Sequence, residues 1–184
     1  MIKCHHLEID GVLLFESEIH KDSRGSFSEV YRSDGYVDFL PNNIQFIQEN
    51  ESISKYGVLR GLHFQSGVYA QSKLVRVSYG EIQDVIVDIR KDSKTFGHHI
   101  SVKLSKDNGK QLFVPKGFAH GFLSLSESTI VNYKVDNYYS KKHESGILFN
   151  DPDLGIKWNL NNLDIIATDK DLMLPKLKKN SFLL

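Results

Sequence analysis

Apolar side chains in this chain recur at every second position, in short runs broken by Gly, Asn and Asp. They almost never recur at the three-and-four spacing of a helix face. That texture restricts the fold to one assembled from many short strands. Lys73, Val75, Val77 and Tyr79 share one face of a strand. After Gly80-Glu81, Gln83, Val85, Val87 and Ile89 share a face of the next, and the two read as a hairpin. Further strands are expected at Ser26–Tyr31, Val58–Gln65, His99–Leu104, Lys110–Val114, Gly121–Leu125 and Thr129–Val135. Turn residues separate them, at Lys106 to Gly109 and at Ser140 to Glu144. Helical spacing is confined to two places. Ser33 to Leu40 sets Tyr36, Phe39 and Leu40 on one side and stops at Pro41. A second helical turn is expected after Thr168, whose hydroxyl can cap it, with Asp169 and Asp171 in its first turn. The expected fold class is therefore all-β: a jelly roll or barrel with a few short helices. With no internal repeat, low-complexity tract or linker, residues 1–184 read as a single domain.

Charge and cysteine usage narrow the function. The chain balances 23 Lys+Arg against 23 Asp+Glu, so it lacks the basic surplus by which a protein displaces counterions from duplex nucleic acid. One cysteine, Cys4, cannot form an internal disulfide or a C-x-x-C redox pair. No apolar run approaches the roughly 20 residues that span a bilayer. Met1 to Asp10 lacks the apolar stretch of a signal peptide, so a cytoplasmic protein with no membrane partner is expected.

Three groups of residues could carry chemistry. His63 and Gln65 share a strand face in Gly61-Leu62-His63-Phe64-Gln65. Tyr133 lies between Val131 and Val135 on another face, a phenol among aliphatics. The third group, Gly109-x5-Pro115-x-Gly117-x2-His120, resembles the second half of the cupin signature, whose Pro-Gly turn delivers a histidine to the barrel interior. Metal-binding cupins place His-x-His and a Glu in the first half. Here those positions read His63-Phe64-Gln65, with Lys73 at the next interior site. Glutamine is a poor transition-metal ligand and an ammonium repels a cation, so no metal site is expected. A histidine base, a lysine cation and a tyrosine acid facing one cavity suit proton abstraction next to a ketone. An imidazole, with an ordinary pKa of about 6.5, accepts a carbon-bound proton near neutral pH. The ammonium stabilises the enolate oxygen, and a phenol on the opposite face returns a proton, which inverts the carbon.

The chain resembles the dTDP-4-dehydrorhamnose 3,5-epimerase family from Gly11 to about Leu177. The resemblance is carried by Asp22-Ser23-Arg24-Gly25 with Glu29, Gln48-Glu49-Asn50, and Val58 to Gln65. It continues through Gln71 to Arg76, Asp84 to Arg90, Thr95-Phe96-Gly97 and Pro115 to Phe122. Tyr133-Lys134, Tyr138-Tyr139, Asn150-Asp151-Pro152 and Leu154 to Trp158 complete it. The resemblance implies a cupin-type fold and epimerisation at C3 and C5 of dTDP-4-dehydro-6-deoxy-D-glucose, in dTDP-L-rhamnose biosynthesis. It assigns His63 as base, Tyr133 as acid and Lys73 to the C4 oxygen, and it names Asp171 as the carboxylate that orients His63. Substrate binding would fall to Arg24, Glu29, Gln48, Asn50, Arg60, Lys73, His120, Tyr138, Glu144 and Lys170, with Phe27 a further candidate for stacking on the base. It also implies a homodimer in which Arg24 and Glu29 reach the neighbouring site, a dTDP-sugar as the partner molecule, and no metal or organic cofactor. Small departures, Glu49 for Asp, Thr168 for Ser and Ser72 for a smaller residue, leave the catalytic set untouched.

Three other readings compete. A mono-epimerase acting at C3 or C5 alone would carry the same residues. A non-catalytic sugar-nucleotide-binding cupin has no use for the base and acid. A metal-dependent dioxygenase is disfavoured by Gln65 and Lys73. One conflict is internal to the strand reading: strict alternation puts Arg60 on the face opposite His63, so a binding role for Arg60 requires a bulge or an edge position.

Overall fold

The structure is a computed structural model that describes residues 2–41, 44–160 and 164–180. Thirteen strands are present among them. They are β1 (Lys3–His6), β2 (Leu13–Glu16), β3 (His20–Asp22), β4 (Gly25–Phe27), β5 (Gln48–Lys55), β6 (Leu59–Gln65) and β7 (Lys73–Tyr79). The others are β8 (Glu81–Asp88), β9 (His99–Ser105), β10 (Lys110–Val114), β11 (Phe118–Ser124), β12 (Ser128–Val135) and β13 (Glu144–Gly146). They form an antiparallel six-stranded sheet, β1-β2-β10-β7-β12-β5, facing an antiparallel five-stranded sheet, β13-β6-β11-β8-β9. A separate ribbon pairs β3 with β4. This is the jelly-roll sandwich expected from the strand texture.

Both sheets are apolar on both faces, which makes three cores rather than one. Between the sheets, Val75, Val77 and Val131 meet Ile82, Ile86, Phe118 and Phe122. The outer face of the five-stranded sheet, with Leu59, Leu62, Val85, Val87 and Leu123, is covered by Ile147, Phe149, Leu154 and Leu177 from the C-terminal segment. The outer face of the six-stranded sheet, with Leu13, Phe15, Leu74 and Phe113, is covered by Tyr36 and Leu40. Each fully buried aliphatic or aromatic side chain contributes about 1.5–3 kcal/mol of transfer free energy. The C-terminal layer therefore belongs to the fold and is not a loose tail. It is further fixed where the Leu177 N–H donates to Asp151 Oδ2 and the Trp158 indole N–H donates to the Phe149 carbonyl, both at 2.9 Å.

Several strand expectations need correction. β7 and β8 are not a hairpin. β7 lies between β10 and β12 in one sheet, whereas β8 lies between β11 and β9 in the other. Gly80 makes the corner at φ +76, where a Cβ would sit 2.4 Å from the Ser128 carbonyl oxygen. Residues 33–40 do not form an α-helix. Only Ser33–Gly35 makes a 3-10 turn, its N-cap Arg32 supplies no side-chain hydrogen bond, and Phe39 remains 40% exposed. A segment this short has no cap to offset helix nucleation, and pressing Tyr36 and Leu40 onto the sheet is what orders it. The strand expected at Ser26–Tyr31 pairs only as far as Phe27. The turn after Thr168 is present as α1 (Asp169–Leu172), with the Thr168 hydroxyl accepting from the Asp171 N–H at 3.3 Å.

Candidate active site

The two sheets part at one end around a cavity of about 720 Å³, within the usual size of a small-ligand site. Six strands (β5, β6, β7, β11, β12 and β13) and α1 contribute polar side chains to its lining, and on the central strands the pleat explains which. On β8 the inward positions are Ile82, Asp84 and Ile86; on β11 they are Phe118, His120 and Phe122; on β12, Val131 and Tyr133; on β7, Lys73, Val75 and Val77. Apolar neighbours fill the closed end of the barrel, and the polar positions cluster at the open end.

On β6 simple alternation fails, which resolves the conflict over Arg60. His63 faces His120, but Arg60 faces Phe122, so three steps on β6 match two on β11. This bulge at Gly61 turns Arg60 onto the same side as His63, and both line the cavity. Only glycine fits there. Gly61 has φ +123, and a Cβ on it would lie 2.6 Å from the Gly121 Cα. Arg60 is then held by hydrogen bonds from Nε to Ser54 Oγ at 3.0 Å and from Nη2 to the Ile53 carbonyl at 3.2 Å.

The closest polar pair in the cavity is His63 Nε2 with Asp171 Oδ1 at 2.6 Å. Their proximity depends on the C-terminal layer. The Leu59 N–H donates to the Ile166 carbonyl and the Ile166 N–H to the Gly57 carbonyl, both at 2.9 Å, which docks the chain beside β6 just before α1. Burial pushes the Asp171 carboxyl up, but His63, with smaller help from Thr168 and Lys170, outweighs it, and the net direction is down. Asp171 is thus held as a carboxylate that orients the ring. With Nε2 engaged, Nδ1 is the ring nitrogen left to meet a substrate.

Lys73 projects from β7 towards the His63 carbonyl, with Nζ at 3.4 Å. Burial lowers its pKa to about 8, against the opposing pull of Asp84 and Glu144. Burial also raises the Tyr133 phenol, with Arg60 acting in the opposite sense, so the hydroxyl keeps its proton at neutral pH. Gln48 Nε2 donates to Asn50 Oδ1 at 2.8 Å on the cavity wall. At the mouth Lys170 Nζ lies 2.7 Å from Glu144 Oε2, which also accepts from the Tyr139 hydroxyl at 2.9 Å.

The cavity therefore brings together His63, Lys73, Tyr133, Asp171, Gln48, Asn50, Arg60, His120, Glu144 and Lys170. Three expected binding residues do not line it within one chain. Arg24 lies on the β3–β4 ribbon, 88% exposed and paired with Asp22 at 2.6 Å. Glu29 is paired with Arg32 at 3.4 Å. Tyr138 is 63% exposed, and it is the adjacent Tyr139 that lines the cavity. Phe27 likewise stays outside, 71% exposed.

Sequence reasoning gave no role to Asp84, whose carboxylate lies 2.7 Å from His120 Nε2 and is wholly buried. Its signal was present: a lone acid at an inward position of the apolar run Ile82 to Val87. Among the described residues no group of three or more His, Cys, Asp or Glu is arranged to hold a metal ion. Among them too, no helix is long and apolar enough to cross a membrane.

The chain is similar to known proteins over nearly its whole length. The family model for dTDP-4-dehydrorhamnose 3,5-epimerase matches residues 6–179. The Salmonella typhimurium dTDP-4-dehydrorhamnose 3,5-epimerase is 47% identical over 92% of this chain and 92% of its own length. The crystal structure of the Legionella pneumophila dTDP-6-deoxy-D-glucose-3,5-epimerase in complex with dTDP-4-keto-L-rhamnose superposes with a TM-score of 0.94 at 40% identity, covering 100% of this chain and 97% of that one. The Bacillus anthracis dTDP-4-dehydrorhamnose 3,5-epimerase, with TDP and PPi bound, gives a TM-score of 0.89 at 45% identity, over 96% and 99% of the two chains.

Proposed function

Because the chain belongs to the dTDP-4-dehydrorhamnose 3,5-epimerase family, we propose that His63 and Tyr133 invert C3 and C5 of dTDP-4-dehydro-6-deoxy-D-glucose by proton transfer through an enolate. The activity itself, 3,5-epimerisation in dTDP-L-rhamnose biosynthesis, is that of the family. The observation that carries the assignment of roles is the 2.6 Å His63–Asp171 pair opening onto a cavity shared with Lys73 and Tyr133.

The substrate ketone at C4 acidifies the hydrogens on both neighbouring carbons. His63 Nδ1 takes one of them: the C–H bond breaks, its electron pair forms the carbon–carbon double bond, and charge moves to the C4 oxygen. Asp171 stabilises the imidazolium that results. The Lys73 ammonium holds the enolate oxygen, a contribution whose removal typically costs about 2.7–4 kcal/mol of transition-state stabilisation. Tyr133 then gives its phenolic proton to the opposite face of the carbon, and solvent restores both residues for the second carbon. Arg60 and Lys170 supply positive charge for the diphosphate. Gln48, Asn50 and Glu144 supply hydrogen-bonding groups for the rest of the nucleotide sugar.

The active form is a homodimer in which Arg24, Glu29 and Tyr138 complete the neighbouring subunit's site. Support for this reading comes from the exposed β3–β4 ribbon, which carries Arg24 and the solvent-facing Phe27 outside its own chain's cavity. Incubation with the 4-keto sugar in deuterated water tests the function. Label at both C3 and C5 is expected. Label at one carbon alone turns the assignment to a mono-epimerase, and label at neither refutes it.

A further inference from the structure

The inward face of β8 carries two carboxylates; Asp88 is taken up by Arg90, Ser93 and Thr95, whereas the surroundings of Asp84 are unusual. Asp84 is 0% exposed between Ile82 and Ile86. Its Oδ1 lies 2.7 Å from His120 Nε2. Its Oδ2 is buried without a hydrogen-bond partner among the described residues. A carboxylate oxygen sealed from water and left without a donor is costly unless a positive charge compensates it.

The groups facing it leave one source for that charge. Arg60 is committed to β5 through Ser54 and Ile53. Lys170 is paired with Glu144, and Asp171 with His63. His120 is buried, and burial, with the charges of Lys73 and His63, lowers its pKa against the pull of Asp84, so the ring is neutral. A neutral ring donates Nε2–H to Asp84 and keeps Nδ1 as an acceptor. Lys73 remains. It lines the cavity half-buried, the Asp84 charge acts on it, and among the described residues its hydrogen bond is the long one to the His63 carbonyl.

We propose that Asp84 is a positioning residue for the epimerisation: Oδ1 fixes His120 as a hydrogen-bond acceptor, and Oδ2 is the counter-charge that keeps Lys73 an ammonium at the enolate oxygen. The inference rests on the catalytic reading above and adds to it the group that sets the charge of the oxyanion site. It also gives His120 a definite contact. An accepting Nδ1 suits a sugar hydroxyl and not a diphosphate oxygen.

Asp84→Asn is nearly isosteric and keeps an acceptor for His120 while removing the charge. Purified Asp84→Asn is expected to lose about tenfold in kcat with KM little changed, short of the roughly 10²–10³-fold that follows loss of an oxyanion donor itself. Lys73 must be protonated to act, so kcat/KM of the wild type falls as pH rises through about 8. Without the counter-charge that limb moves to lower pH by about one unit or more. In a Lys73→Met background, Asp84→Asn should change kcat by less than about twofold, because the residue through which it acts is gone. An equal loss in both backgrounds with an unmoved alkaline limb overturns the proposal.

If Asp84→Asn does not fold, 15N NMR of histidine-labelled wild-type protein reads the same network directly. Between pH 6 and 8 His120 is expected as the Nε2–H tautomer, and a proton on Nδ1 overturns it. Wild-type exchange run in parallel keeps the two readings apart. Unlabelled wild-type product counts against the epimerase mechanism, whereas a labelled wild type with an unshifted Asp84→Asn limb counts against Asp84 alone.

Discussion

Two histidines of one cavity each pair with a carboxylate at almost the same distance, His63–Asp171 at 2.6 Å and His120–Asp84 at 2.7 Å, yet the pairs are built and exposed differently. The His63 side chain is 30% exposed and its carboxylate arrives from α1, more than a hundred residues away in sequence. The His120 side chain is 7% exposed and its carboxylate lies on the adjacent strand of the same sheet. The first pair has an open ring nitrogen and a partner that stabilises a gained proton, which is what a base needs. The second is closed off with a buried charge beside a lysine, which is what a fixed electrostatic support needs. The same side-chain chemistry thus divides into proton transfer and charge setting according to access and neighbours.

The sharpest way to break this contrast is to remove each ring. His63→Ala should lower kcat by roughly 10²–10⁴-fold, the usual worth of a general base. His120→Ala should act mainly on KM, with a much smaller loss in kcat. Steady-state kinetics on both variants decides the matter, and equal losses in kcat would erase the distinction. Next in size is Asp171→Asn, which leaves His63 in place but removes the charge that orients it. A loss of about 10–100-fold in kcat is expected, as for other groups that act by holding a functional imidazole. Smallest is Thr168→Ala, which deletes the cap of the short helix bearing Asp171. It should cost about 1 kcal/mol of stability, read as a lowered Tm, with kcat reduced by far less than in Asp171→Asn. A larger effect on kcat than on Tm would mean that the cap, and not the C-terminal apolar layer, positions Asp171.

The contrast also marks how far the amino-acid order could be read directly. The strands on either side of the cavity were legible because their inward positions alternate, and Lys73, His120 and Tyr133 fall on that alternation. Asp171 was legible through its helix-capping pattern and the family resemblance. Three features were not. Alternation says which face a residue takes but not which strand it pairs with, so β7 and β8 read as a hairpin although Gly80 sends them to opposite sheets. β5 carries Gln48, Glu49, Asn50 and Glu51 at a sheet edge, where half-exposed polar residues leave little periodic signal. The Asp84–His120 pair depends on strand register across the sheet, which no local pattern encodes. The role of Arg60 shows the opposite case: failed alternation called for a bulge or an edge position, and the register shift at Gly61 supplies the bulge.

The central claim is that proton removal and proton return come from different residues on opposite faces of the sugar. Deuterium exchange and inversion, followed together by NMR in deuterated water for His63→Ala and Tyr133→Phe, separate the two steps. The account predicts that Tyr133→Phe still exchanges label at C3 or C5, with inversion slowed far more than exchange, because His63 returns the deuteron to the face it came from. It predicts that His63→Ala neither exchanges nor inverts. Wild-type rates of exchange in His63→Ala, or of inversion in Tyr133→Phe, would contradict it.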